Sequence, residues 1–299
     1  MNTATATSSR PIPPRVIRTR RLGLDYAGSD ERRHFMRDDL AMSHIVSMLS
    51  AVFPEGEDFF VRTVRNYREA VTDPELKRQV SGFIGQEAMH GREHRAFNER
   101  LATLGYPTKF VDRVTGIGLR FGERVLPRSV QLAITAALEH YTATLAEVLL
   151  SDEEARDLFD VDEIRSLLLW HALEESEHKS VAFDVYQSVS ANHWIRVGVM
   201  NATTVGFLGG IALASVVSVL TDPAARRPAR VWRSVRGLRT SPWIRPEVRR
   251  RIRAYNRRDF HPDDFDNAEL TREWRERLFG PGGTLRDRVE QARIADQSA

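Results

Sequence analysis

Two segments of the sequence repeat one short pattern, a glutamate followed three residues later by a histidine. Glu87 and His90 lie in QEAMHGREH, and Glu175 and His178 lie in WHALEESEHKSVAFDVY, where His171 precedes Glu175 by four residues. At 3.6 residues per turn, offsets of three and four place side chains on one face of a helix. One such pattern is common on a solvated helix, but two of them in long and otherwise apolar helices predict a metal site between helices.

Two further apolar segments each carry one glutamate. Glu57 lies in FPEGEDFFVRTV, and Glu139 lies near the middle of SVQLAITAALEHYTATLAEVLL. Glu57 follows Pro54, which predicts an interruption or a kink in the first helix, and it could be an ordinary glutamate favoured by the dipole of a helix N-terminus. Glu139, unless it points outward, must pair with a cation or bind a metal, because an unpaired buried charge is costly.

The order of these four segments predicts the fold. Along the chain they supply Glu57, then Glu87 with His90, then Glu139, then Glu175 with His178, and the longest connection lies between the second and the third. Four-helix bundles of the ferritin-like type hold two metal ions with this arrangement and with one long crossover. We therefore expect an all-α fold, with its fourth helix over about residues 161–189.

The composition restricts the metal and the compartment. The chain has no cysteine, so histidines and carboxylates are its only strong metal ligands. These ligands suit iron(II) or manganese(II), and zinc is compatible with them. The N-terminal segment is basic and lacks the apolar core of a signal peptide, which favours the cytoplasm.

The fragments FPEGEDFF, QEAMHGREH, ALEHYTA and WHALEESEHKSVAFDVY, with the later FHPDDFD, carry a resemblance to a known family. Over about residues 40–190 the sequence resembles the predicted metal-dependent hydrolases of the ferritin-like superfamily. The spacing in the fourth helix is also similar to that of the di-iron arylamine N-oxygenases, where an additional histidine four positions before the glutamate serves as a seventh ligand. The resemblance implies a two-metal site made of Glu57, Glu87, His90, Glu139, His171, Glu175 and His178.

Three neighbouring residues compete with these ligands. Glu174 lies four residues before His178, but the Glu-x-x-His spacing favours Glu175. His94 is expected either next to the ligands or at the surface. His140 adjoins Glu139, and adjacent helical positions point about 100° apart, so the two are not expected to bind the same ion. The alternative to a metal site is a bundle held together by buried salt bridges.

Charge and hydropathy divide the chain into four parts. We expect a basic, partly disordered arm at residues 1–30, the two-metal bundle at 31–190, an apolar helical segment at 191–222 and an Arg-rich helical tail at 223–299. Residues 226–258 include thirteen arginines and one acidic residue, Glu247. Such a density suits anionic lipid head groups or nucleic acid, or else it forms a solvated surface.

The apolar segment poses a question of topology. Residues 197–220 include no charged residue and are numerous enough to span a bilayer. The bundle and the arginine-rich tail would both have to be cytoplasmic, and one crossing cannot satisfy both. We therefore expect a packed or monotopic pair of helices, broken near Gly209 and Gly210, with the arginines on an anionic membrane surface.

These features suggest a di-iron oxygenase or oxidase that uses O2 to oxidise a small apolar or lipid-like substrate. No nucleotide-binding loop is visible, so the electrons would come from an external donor. The first alternative is a hydrolase that uses a metal-bridged water, and the second is a non-catalytic metal-binding protein. Nucleic acid is not favoured as a partner, and homodimer formation is left open.

Overall fold

The structure is a computed structural model that describes residues 10–26 and 32–289. Every regular element in these ranges is helical, which confirms the all-α prediction. The α-helices of the described residues are α1 (Leu40–Arg65), α2 (Pro74–Thr103), α3 (Thr108–Val125), α4 (Arg128–Ser151), α5 (Glu153–Asp157), α6 (Asp162–His178), α7 (Val181–Val189), α8 (His193–Leu220), α9 (Pro228–Gly237), α10 (Pro246–Ala254) and α11 (Ala268–Phe279).

A bundle of α1, α2, α4 and the pair α6–α7 forms the centre of the molecule. Local sequence signals set where its first two helices begin. Asp39 accepts a hydrogen bond from the amide of Met42 at 2.8 Å, and Asp73 accepts one from the amide of Leu76 at 2.9 Å. These are N-cap bonds, which satisfy amides that have no partner within the helix. Apolar side chains at helical spacing then bury one face of each helix.

The first bundle helix is unbroken, and the connection between the second and third bundle helices is itself helical. Helix α1 runs through Pro54 without the expected interruption. The long connection is itself the helix α3, which packs on α1. A helical connection of this length carries the chain from the end of α2 to the start of α4.

The fourth bundle helix is divided, contrary to the single helix expected over residues 161–189. Helix α6 ends at His178, and α7 begins at Val181. The cause is a tertiary contact that no periodicity shows. The segment 260–265 binds the side chains at and after the break: the Lys179 ammonium donates to the carbonyl of Phe265, and the Ser180 hydroxyl donates to Asp263 at 2.8 Å.

The apolar segment forms one helix, α8, and not the expected pair. Gly209 and Gly210 lie inside it without a break. Asn192 caps its first turn, and a helix tolerates glycine at a cost of about 1 kcal/mol relative to alanine. Contacts with the bundle near both ends of α8 offset that cost.

The two ends of the described chain both return to the bundle. Residues 10–26 run in extended form along it, with Leu22 and Tyr26 in the apolar core, and α11 contributes Trp274 and Leu278 to the same core. The other parts of the expected disordered arm, residues 1–9 and 27–30, lie outside the described residues. So do residues 290–299 of the Arg-rich tail.

Candidate metal centre

The four bundle helices bring seven metal-ligand side chains together inside the protein. These residues are at most 5% exposed. Helix α1 supplies Glu57, α2 and α4 supply three more, and α6 supplies the last three. They are Glu57, Glu87, His90, Glu139, His171, Glu175 and His178.

One group of four surrounds the side chain of His178. Its Nε2 atom lies 3.1 Å from Glu87 Oε1, 3.3 Å from Glu139 Oε2 and 3.7 Å from Glu175 Oε2. Ligand atoms of all four residues lie within 4.8 Å of one another. Three carboxylates and one imidazole at these separations can enclose a metal ion.

A second group adjoins the first and includes the other two histidines. His171 Nε2 lies 3.0 Å from Glu175 Oε1 and 3.7 Å from Glu57 Oε1. His90 Nδ1 lies 3.6 Å from Glu87 Oε1 and 3.8 Å from Glu175 Oε1. Glu87 and Glu175 therefore belong to both groups, the arrangement in which two carboxylates bridge two ions.

Nine buried polar atoms of this cluster have no hydrogen-bond partner among the described protein groups. They are both carboxylate oxygens of Glu57, Glu87 and Glu139, together with Glu175 Oε2, His90 Nδ1 and His178 Nε2. Each unsatisfied buried group costs about 1–3 kcal/mol, and more when it is charged. Two divalent cations would bind these atoms and neutralise the four carboxylates, so the donor set fits a pair of metal ions.

Three of the cluster carboxylates have raised pKa values, because burial without a compensating positive charge disfavours their ionised form. Burial, followed by the nearby carboxylates, raises the pKa of Glu57 well above its usual range. Burial raises the pKa of Glu87 and of Glu139 to about 8. Protons therefore compete with metal ions for these oxygens at neutral pH.

Glu175 behaves differently from the other three carboxylates. Burial raises its pKa, but the neighbouring imidazoles of His171 and His178 outweigh burial and bring the pKa well below its usual value. Burial lowers the pKa of His178, whereas the carboxylates of Glu139 and Glu175 outweigh it and raise that pKa well above the usual value. Without a metal, Glu175 is therefore ionised and His178 protonated.

A chain of hydrogen bonds fixes which nitrogen of His171 faces the cluster. The Ser50 hydroxyl donates to Asn98 Oδ1 at 2.8 Å, so it accepts from His94 Nδ1, also at 2.8 Å. His94 Nε2 is then left to accept from His171 Nδ1 at 2.8 Å. The lone pair of His171 Nε2 consequently points at Glu175, and those two atoms need a proton or a cation between them.

The other two cluster histidines are oriented in the same way. Gln86 uses its amide nitrogen to donate to Glu177 at 2.9 Å, so its oxygen accepts from His178 Nδ1 at 2.8 Å. His90 Nε2 lies 3.2 Å from Glu174 Oε2. Each ligand histidine thus presents its remaining nitrogen to the cluster. Such outer partners set the tautomer and orientation of metal-binding histidines.

Glu174 and Glu175 lie in different surroundings. Glu175 faces the cluster, whereas Glu174 binds His90 on one side and accepts a 2.7 Å hydrogen bond from Arg20 on the other. Arg20 is 7% exposed and also binds Glu177 through both of its terminal nitrogens. The basic N-terminal arm therefore inserts a guanidinium directly behind the metal cluster.

His94 and His140 also lie in different surroundings. His94 contacts His171, as described above, and its pKa is lowered well below the usual value by burial, which keeps the ring neutral. His140 donates from Nε2 to the carbonyl oxygen of Arg251 in α10 at 3.0 Å, and its ring packs against Tyr255. It therefore points away from Glu139 and from the cluster.

Several residues that shape this site carry no signal in a local pattern. Arg20 lies in a basic N-terminal segment whose composition is typical of a solvated arm. Gln86 is one of several polar residues near Glu87, and nothing in the sequence distinguishes it from the others. Asn98 is the exception, because it follows His94 by four residues and so shares its helix face. That spacing could have indicated the pair.

The fold and the cluster define a helical protein with a buried set of carboxylates and histidines that could hold metal ions. The chain belongs to the family described as predicted metal-dependent hydrolases, whose model matches residues 18–266. This match extends from the arm that carries Arg20 to the segment that binds the break after α6. No curated protein and no solved structure matches the chain.

Proposed function

We propose that this protein is a hydrolase that holds two divalent metal ions between its bundle helices. The observation that carries the proposal is that Glu87 and Glu175 belong to both ligand groups, while nine buried polar atoms around them lack protein partners. Membership in a family of predicted metal-dependent hydrolases supports the reaction class. Two such ions supply Lewis acidity and lower the pKa of water.

The candidate ligands would hold the two ions in two overlapping sets. Glu57, His90 and His171 recur in the groups on one side of the cluster, Glu139 and His178 belong to the group on the other, and Glu87 and Glu175 occur on both sides. The partners of the three histidines keep the metal-facing nitrogens unprotonated when a metal binds. The four carboxylates carry four negative charges when ionised, which balance the four positive charges of two divalent cations.

Aromatic side chains pack against the imidazoles and exclude bulk water. The Phe83 ring lies 4.9 Å from His178, Trp170 lies 4.9 Å from His90, and Phe53 lies 5.1 Å from His171. All three pairs are edge-on. A low local dielectric strengthens the electrostatic effect of the site on a bound substrate.

A second function, oxidation of an apolar substrate, is favoured by one specific observation. His171 adds a third imidazole to the cluster, with Nε2 3.0 Å from Glu175 Oε1, and a nitrogen-richer site suits iron. The spacing of His171 and Glu175 is also similar to that of the di-iron arylamine N-oxygenases. Bound iron(II) would supply the capacity to activate O2, with electrons from an external donor.

Metal analysis followed by activity tests separates these functions. We expect the purified protein to contain two metal ions per chain, and Glu175→Gln to lose them. Anaerobic hydrolysis of ester or phosphoester probes by protein loaded with zinc or manganese would support the hydrolase. Oxygen uptake that requires iron(II), without anaerobic hydrolysis, would replace it with the oxidase. Less than one tightly bound ion per chain in wild type would refute both.

A further inference from the structure

Helix α8 has its polar side turned inward and its apolar side turned outward. Arg196, Met200, Ser215 and Ser218 are buried against the protein. The opposite side carries exposed large apolar residues, whose positions along the helix place them within about half of its circumference. These are Val205, Leu208, Leu213, Val216, Val217 and Leu220. Trp194, in the first turn of the helix, is also exposed and lies on the same side.

Hydrogen bonds hold α8 against the rest of the protein in its first half and near its C-terminal end. Arg196 donates to the carbonyl of Arg257 at 2.6 Å, Tyr141 donates to Thr204 at 2.7 Å, and Ser218 lies 2.7 Å from His44. Within the described residues, α8 is the helix long and apolar enough to cross a membrane by length and composition, with a mean hydropathy of 1.9. Crossing would separate it from these partners, so its contacts favour a helix that lies on the bundle.

Helix α3 presents a second outward apolar stripe. Phe110, Val114, Ile117, Phe121 and Val125 follow one another at spacings of four, three, four and four, and all are more than half exposed. Polar residues on the opposite side hold α3 to the bundle. An amphipathic helix whose apolar side faces outward is typical of binding at a membrane interface.

The two apolar stripes lie on the same side of α1. Ser218 of α8 binds His44, whereas Arg120 and Glu123 of α3 bind Glu55 and Arg62. His44, Glu55 and Arg62 are eleven and seven residues apart, which places them on one face of α1. The outward faces of α3 and α8 can therefore meet one surface at the same time.

Exposed basic residues border both stripes. Lys109, Arg113, Arg124 and Arg128 lie in or beside α3. Arg226 and Arg227 follow the end of α8, and at its other end the Arg258 guanidinium lies 5.3 Å from the Trp194 ring. Cations around an apolar face complement the anionic head groups of a bilayer.

We propose that α3 and α8 together form a monotopic membrane-binding face, with their apolar side chains in the interfacial region of an anionic bilayer and the bordering arginines and lysines on its head groups. The bundle then stays on one side of the membrane. This inference is independent of the proposed hydrolase activity, since no metal ligand takes part in it.

Flotation of the full-length protein with lipid vesicles tests the proposal. We expect binding to vesicles of phosphatidylcholine with phosphatidylglycerol, and at least tenfold weaker binding to phosphatidylcholine alone. Salt should weaken the attachment but leave a residual fraction bound at 1 M NaCl, because salt screens the charges and not the apolar contact. Lipids brominated near the head group should quench the fluorescence of Trp194, compared in a Trp194→Phe variant.

A matched pair of double variants isolates the apolar face. Ile117→Glu with Leu213→Glu places one charge in each stripe and should reduce binding to the anionic vesicles at least tenfold. Ser81→Glu with Thr103→Glu adds the same charge at exposed positions of α2 and should bind like wild type. Circular dichroism and metal content identify any variant that fails to fold, in which case Phe121→Ser with Val217→Ser replaces it.

Three results would overturn the proposal. The first is no binding to anionic vesicles at low salt. The second is evidence that the apolar side chains do not contribute. Equal binding by the stripe and control variants would show this, and so would complete release by salt, since the attachment would then rest on charge alone. The third is a wild-type dimer that the stripe variant dissociates, with no vesicle binding, since the face would then cover a second copy of the chain.

Discussion

His94 Nε2 lies 2.8 Å from His171 Nδ1 at the edge of the candidate metal cluster, where Glu57 also offers a ligand atom within 4.8 Å of the two histidines. Ser50 and Asn98 set the direction of this hydrogen bond. The Ser50 hydroxyl has a single proton and donates it to Asn98, so it can only accept from His94. His94 must then accept from His171. A neutral histidine outside the cluster thus determines that His171 presents an unprotonated Nε2 to it.

Replacing His94 should weaken metal binding without removing a ligand. In His94→Gln the His171 ring loses a defined acceptor, so we expect the metal affinity to fall about 10–100-fold while saturation still gives wild-type stoichiometry. Competition with a chromogenic chelator measures this. His140→Gln is the matched control, because it deletes another buried imidazole that binds a backbone carbonyl away from the cluster. Equal losses in the two variants would contradict the role of His94.

Adjacent glutamates on α6 should behave differently when each is changed to glutamine. Glu175 belongs to both ligand groups, so Glu175→Gln should lose both metal ions. Glu174→Gln should keep them with an affinity reduced about tenfold, since it alters the partner of His90 and weakens the ion pair with Arg20 without removing a ligand. Metal content by plasma mass spectrometry after dialysis distinguishes the two. Full occupancy in Glu175→Gln with loss in Glu174→Gln would exchange their roles.

Metal binding should stabilise the fold by a measurable amount. Each ion that binds only the folded chain adds about 2.7 kcal/mol at a free concentration of 100 times its Kd. Chelation should therefore lower the melting temperature, and adding back zinc, manganese or iron(II) should restore it with a dependence on metal concentration. Differential scanning calorimetry measures the shift, with Glu139→Gln as a variant that should respond less. An unchanged melting temperature on chelation would argue against a site built from these residues.

The metal-free protein should lose stability as the pH rises from 7 to 8, a range above that in which the buried histidines with lowered pKa values act in the opposite direction. Burial raises the pKa of Glu87 and of Glu139 from 4.5 to about 8, so between these values the folded state holds protons that the unfolded state has released. Stability then falls with pH, by at most ~1.4 kcal/mol per pH unit for each group. Metal affinity should rise over the same range, because the ions displace those protons. Urea unfolding of chelated and metal-loaded protein at pH values between about 7 and 8 checks both trends. Rising stability of the chelated form over this range would contradict them.

The candidate metal-binding side chains share helix faces because of helical spacing, which is a local property of the chain. Offsets of three and four predicted which side chains share a face, and the order of the segments predicted an all-α bundle. Three features depend on contacts distant in sequence and could not be derived that way. Arg20 reaches Glu174 from a segment with no periodicity, residues 260–265 divide the fourth helix, and α8 stays continuous across Gly209 and Gly210.

The segment that binds the break after α6 should matter for the metal centre although it contributes no ligand. Asp263 accepts a hydrogen bond from Ser180 at 2.8 Å and pairs with Arg15, and Ser180 lies two residues after His178. Asp263→Ala leaves both partners unsatisfied, so we expect it to cost about 1–3 kcal/mol of stability and to reduce metal affinity by loosening the end of α6. Asp259→Ala is the control, because that side chain is 84% exposed and lies 3.6 Å from Arg257 at its nearest, and it should change stability by less than about 0.5 kcal/mol. Urea titrations with and without added metal separate the two effects. A loss of stability that is the same in chelated and loaded protein would show that Asp263 supports the fold alone, whereas a larger loss in the loaded protein would show that it also positions His178.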